Sequence, residues 1–106
     1  MIKEAVARGI EAAQKASQAK YREIGGDQYA CGFAWVDVYV DRTNSKVAKE
    51  LIAAGFRKDY KPKCVSMWNP GGLGVQNIDI KEAGAEAMAQ VLREVGLKAY
   101  AGSRLD

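Results

Sequence analysis

The sequence predicts one α/β domain over residues 1–106, with element order α-β-α-β-α-β and a three-stranded, mainly parallel sheet packed with helices. Three observations carry this. Residues 29–40 are a proline-free run of aromatic and β-branched residues, which marks a central strand. Apolar residues recur at three- and four-residue spacing once before that run and twice after it, which marks amphipathic helices. The connections are short, and strand–helix–strand units of this length favour parallel neighbours joined by right-handed crossovers. A chain of 106 residues is long enough for one core and too short for two.

The first helix covers residues 2–24. Ile2, Val6, Ile10, Ala13, Ser17, Tyr21 and Ile24 draw a thin stripe along it, and Gly25-Gly26 ends it as a left-handed cap. In the central strand, period-2 projection separates two faces. Ala30, Gly32, Ala34, Val36, Val38 and Val40 form a small-residue face, which suits the close approach of helices. Cys31, Phe33, Trp35, Asp37 and Tyr39 form a bulky one. Asp37 is the exception in a strand expected to be apolar on both sides. The polar turn at 41–45 supplies the N-cap of a second helix over 46–54, which buries Val47, Ala48, Leu51 and Ile52 and stops at Gly55-Phe56. Pro62 introduces the second strand, 64–69. The third helix starts from Asp79 as N-cap with Glu82 as its capping-box partner. It buries Ile80, Ala87, Met88, Val91, Leu92 and Val95, and closes at Gly96-Leu97. A last strand, 98–103, leads into Arg104-Leu105-Asp106.

Composition excludes more chemistry than it assigns. The 48% hydrophobic content is that of an ordinary globular chain, and a net charge of +3 suits an anionic ligand without amounting to a DNA-binding footprint. There is no histidine, which removes the usual general base, the Ser-His and Cys-His pairs and the commonest zinc ligand. No catalytic residue, metal or cofactor is expected. An enzyme built on Asp37, Asp41 or Asp79 near Arg42 is disfavoured, because positions 37 and 41 lie roughly 13 Å apart along an extended strand. Cys31 and Cys64 are expected as free, buried thiols. The N-terminus M-I-K-E-A-V lacks an apolar leader, and no run approaches the roughly 20 apolar residues of a membrane span. The expected location is cytoplasmic, away from membranes.

Three constellations are candidate sites. If both crossovers are parallel, the turn at 41–44 and the glycine-rich loop at 69–77 emerge together at the carboxyl edge of the sheet, where ligands settle in open α/β sheets. Both loops lead into helix N-termini, whose free N–H groups attract anions. Arg42, Thr43, Asn44, Asn69, Gln76 and Asn77 would then supply donors, Gly71 and Gly72 close backbone approach, Trp68 a stacking surface, and Arg104 a closing cation. The second constellation is the bulky face of the central strand. Phe33, Trp35 and Tyr39 lack an evident intrachain cover, and with Asp37 they form a candidate interface for a homodimer or a partner protein. The third is the segment 57–63, where Arg57, Lys58, Lys61 and Lys63 surround Tyr60. It is a generic signal for nucleic acid.

Two stretches, G-F-A-W-V-D-V-Y-V-D-R at 32–42 and the segment 81–106 ending A-Y-A-G-S-R-L-D, resemble a family of small uncharacterised proteins of tailed bacteriophages. The resemblance covers about half the chain and implies a phage context within the host cytoplasm, with no activity to carry over. The leading expectation is a non-enzymatic accessory protein that binds an anionic, nucleotide-like small ligand, for instance by sequestering a host defence signal. A protein–protein inhibitor or structural interaction protein acting through the aromatic face, and a nucleic-acid binder acting through 57–63, are the alternatives.

Overall fold

The computed structural model describes all 106 residues. The chain runs α1 (Ile2–Ile24), β1 (Gly32–Tyr39), α2 (Lys46–Ala53), β2 (Arg57–Lys58), β3 (Cys64–Trp68), α3 (Ile78–Glu94) and β4 (Lys98–Leu105). The sheet has four strands in the order β2-β3-β1-β4, and every neighbouring pair is antiparallel. This corrects the three-stranded, mainly parallel sheet expected from sequence. The cause is the two-residue strand β2, hidden within the basic segment at 57–63. With β2 present, α2 joins β1 to a parallel strand that is not its neighbour, and a hairpin then reverses the chain into β3. Likewise α3 joins β3 to a parallel β4, with β1 inserted between them. The result is two interleaved split β-α-β units, the β-α-β-β-α-β ferredoxin-like arrangement, preceded by an extra helix.

The small-residue face of β1 is the inner one. Ala34, Val36 and Val38 join Val65 and Ala99 from the flanking strands, Leu51 and Phe56 from the α2 region, and Ala85, Met88, Ala89 and Leu92 of α3 in one buried cluster. At about 25 cal/mol per Å² of apolar surface removed from water, this inner face is the main stabilising layer. Val47, Ile52 and Val95 are exposed, so the core is narrower than the periodicity implies.

Helix α1 runs antiparallel to α3 at short range. Gly9 meets Met88, so that a Cβ there would sit 2.9 Å from Met88 Cγ. The Ser17 hydroxyl donates to the Ile80 carbonyl at 2.9 Å. Small residues let the two backbones approach, which is the close packing expected of an alanine-rich stripe. Helix α1 ends in a left-handed Gly25, and α2 starts at Ser45, whose side chain accepts from Ala48 N–H at 3.2 Å. Helix α3 starts two residues before its expected cap. Asn77 is the N-cap, accepting from Ile80 N–H at 3.0 Å, and Asp79 lies in the first turn. No helix is long and apolar enough to cross a membrane.

Candidate functional site: the open face of the sheet

With the helices on one side, no helix covers the other side of the sheet. Only its middle, at Cys64, Ser66 and Asp37, is buried, with Lys61 of the β2–β3 connection reaching Asp37, and β1 sets the register of the face. On this face Phe33 stands opposite Arg104, Trp35 between Trp68 and Gly102, Asp37 between Ser66 and Tyr100, and Tyr39 between Cys64 and Lys98. Arg57 joins from β2, opposite Ser66. The outer face therefore carries five aromatic rings in two groups.

The larger group is built from β1 and β3. Trp35 and Trp68 stack with centroids 4.7 Å apart and an interplanar angle of 29°, and Phe33 meets Trp68 edge-on at 6.1 Å. Gly102 makes this arrangement fit. A Cβ there would lie 2.5 Å from Trp35 Nε1, so only glycine lets the indole reach over β4. Trp68 remains 52% exposed. Tyr39 and Tyr100, with centroids 6.2 Å apart, form the second group at the other end. Four residues of strand, roughly 13 Å, separate Trp35 from Tyr39.

Asp37 sits between the two groups, and its carboxylate is fully engaged. It accepts from the Trp35 indole N–H at 3.2 Å, the Ser66 hydroxyl at 2.9 Å and the Lys61 ammonium at 2.7 Å. Lys61 comes from the β2–β3 hairpin and also lies 3.5 Å from Asp59. The hydrogen bond to Asp37 raises the Lys61 ammonium above its ordinary range. A buried lone carboxylate would be costly, and Lys61 removes that cost. The network also holds the Trp35 ring in place. Ligand-type atoms of Asp37, Asp59 and Cys64 lie within 4.8 Å of one another. The Lys61 ammonium is shared between the two carboxylates, at 2.7 Å from Asp37 and 3.5 Å from Asp59, and burial pushes the Cys64 thiol up to about 11, which keeps it protonated. As the side chains stand, the cluster is an ion-pair network centred on Lys61.

Positive charge surrounds the face. Arg57, Lys98 and Arg104 rise from the strands, and Lys81 reaches in from α3 to sit 5.2 Å from the Phe33 centroid. None of these four takes part in an ion pair.

The structure separates the residues expected to form one anion pocket. Because β1 and β3 are antiparallel, Arg42, Thr43 and Asn44 follow the Tyr39 end of the sheet, while Asn69, Gln76, Asn77 and Arg104 lie at the Phe33 end. Strand length from Phe33 to Tyr39 puts roughly 20 Å between the two groups. The N–H groups of Gln76 and Asn77 are already occupied by the Asp27 carboxylate, at 3.0–3.1 Å. Gly71 packs on Ser17 of α1, where a Cβ would lie 2.1 Å from the hydroxyl, and Gly72 forms an exposed turn. The Asn69 amide donates to Leu73 O within its own loop. The glycine-rich loop is thus a close contact with the helix layer. A cleft of about 280 Å³ beside Tyr39 and Lys98 is lined by Asp41, Ser45 and Lys46 but by none of Arg42, Thr43 and Asn44.

No family model, curated protein or solved structure matches this chain.

Phe33, Trp35, Tyr39 and Trp68 share the open face, and the basic hairpin borders it: Arg57 stands on the face, Lys61 reaches Asp37, and Tyr60 and Lys63 are exposed in the same hairpin, while Lys58, opposite the core residue Val65, lies on the helix side. Two constellations that looked separate in the sequence therefore meet. Sequence reasoning missed Tyr100, Lys98 and Lys81. The alternation of Lys98, Tyr100, Gly102 and Arg104 with Ala99, Ala101 and Ser103 held the signal for the first two. Cys31 and Cys64 are both free. They lie at opposite ends of β1, Cys64 opposite Tyr39, and Cys31 is only partly buried.

Proposed function

We propose that the open sheet face binds single-stranded nucleic acid, with bases stacking on Trp68 and its neighbours and phosphates meeting the basic rim. One observation carries this reading. Two tryptophans from adjacent central strands are stacked on each other, Trp68 half open to solvent and Trp35 partly buried beneath it, within a ring of cations that have no carboxylate partner. Aromatic platforms combined with a positive border are how sheets take single strands, because every base offers a π-face and every nucleotide a phosphate. Binding of this kind tolerates sequence. Asp37, the one side chain placed to read a base edge at the centre, has its acceptors filled from within the chain.

The charge pattern favours a polyanion over a second copy of the chain. Self-association through this face would bring Arg57, Lys98 and Arg104 against like charges, which electrostatic complementarity disfavours. A compact phosphate-bearing ligand is supported less well, since its expected donors lie at the two ends of the sheet.

The test is fluorescence anisotropy with labelled oligothymidylate and oligouridylate at low salt. Wild-type protein binds, and Trp68→Ala weakens binding about 5- to 150-fold, the worth of one base–aromatic stack at roughly 1–3 kcal/mol. Unchanged affinity in a folded Trp68→Ala protein would remove the platform. Concentration-dependent dimerisation without oligonucleotide binding would assign the face to self-association instead.

A further inference from the structure

At the Phe33 end, two cations converge on one aromatic ring. Lys81 Nζ lies 5.2 Å from the Phe33 centroid and the Arg104 guanidinium 5.5 Å, although the two residues come from different elements. Lys81 spends one N–H on the Gly32 carbonyl at 2.8 Å. The Arg104 guanidinium has no hydrogen-bond acceptor in the chain, and neither residue forms an ion pair. Asp106, two residues after Arg104, pairs with neither.

Local electrostatics favours neither cation here, although Lys81 does bond the Gly32 carbonyl. Lys81 belongs to the first turn of α3, the end of a helix that prefers acidic groups. Two like charges held at one ring repel each other, and cation–π attraction at a partly exposed site offsets this only modestly. Both would gain from an anion, and a phosphate offers acceptors that the fork of Arg104 and the point charge of Lys81 can share.

Resting on the stacking function proposed above, we infer that Lys81 and Arg104 hold the phosphates flanking the base stacked on Trp68. This end then anchors the strand electrostatically, and the Tyr39–Tyr100 group takes a base further along.

Salt dependence of oligothymidylate binding separates this role from stacking. Each phosphate contact on a single strand contributes about 0.7 to the slope of log K against log salt. Lys81→Ala and Arg104→Ala should each lower the slope by about 0.7, and Arg104→Lys should restore it. Trp68→Ala should reduce affinity at every salt concentration while leaving the slope in place. Lys15→Ala, on α1 in the helix layer, serves as the control and should change neither. Should Lys81→Ala disturb the fold by freeing the Gly32 carbonyl, the exposed Arg104 variants still decide. An unchanged slope in Arg104→Ala overturns the phosphate anchor while wild-type binding keeps the stacking function. Absence of any wild-type binding overturns both.

Discussion

A single carboxylate on β1 shows how much one residue can hide from a sequence. Asp37 stood out as a charge in an apolar strand, and it is only 7% exposed. Its partners Lys61 and Ser66 are 24 and 29 positions away, a pairing that no local pattern reveals. The same network bears on Cys64 through the nearby charge, although burial is the larger cause of its raised value. The sign follows directly. A thiol whose folded value rises from 9.0 to about 11 keeps its proton in the native state after the unfolded chain has lost it. Stability from this group is therefore constant below pH 9.0 and declines as pH climbs toward 11. Lys61, also raised, adds a loss in the same direction only above its ordinary value of 10.5. Thermal unfolding should show the melting temperature of the wild type falling between about pH 9 and 10.5. Cys64→Ala should flatten that decline, and parallel curves for the two proteins would show that the thiol is not its source.

Elements were more legible than their partners. The three helices, the central strand and the glycine stops follow from periodicity and capping chemistry, and they appear close to where those patterns put them, with β1 shorter than expected and α3 starting earlier. Strand β2 did not, because two exposed residues, Arg57 and Lys58, carry no period to detect. That omission reversed the parity of the whole sheet. It also misplaced the candidate pocket, since loops that share an edge in a parallel sheet lie at opposite ends of this one. The start of α3 differs from its sequence pattern for a related reason. Asp79-Ile80-Lys81-Glu82 has the spacing of a capping box, yet Asn77 is buried, caps Ile80 N–H and donates to Gln28 O at 2.8 Å. Losing a cap together with the bond to Gln28 O should make Asn77→Ala cost about 1–2 kcal/mol. Asp79→Ala should cost about 0.5 kcal/mol, the worth of a first-turn charge. Urea unfolding of the two variants distinguishes the caps, and a larger loss in Asp79→Ala would restore the expected boundary.

At the scale of the molecule, three helices on one face of a sheet leave the other face without a helical cover, and only the β2–β3 hairpin reaches over its middle. The alternation in β1 already divided small from bulky residues, so the two sides of the sheet were readable before the strand order was. What periodicity could not supply was the meeting of Trp68, Tyr100, Arg57 and Lys98 around β1, because strand register is a long-range property. That meeting turns an aromatic strand and a basic hairpin into a single surface, and the absence of histidine leaves it without the usual pH-sensitive group. The most direct measurement is a ¹⁵N-resolved NMR titration with a short oligothymidylate, following backbone amides together with the indole N–H signals of Trp35 and Trp68. Perturbations should gather on β1, β3 and β4, with both indoles shifting and the outer surface of α1 unmoved. Shifts confined to the helix layer, or to the turn at residues 41–44, would place the ligand elsewhere and contradict the stacking platform.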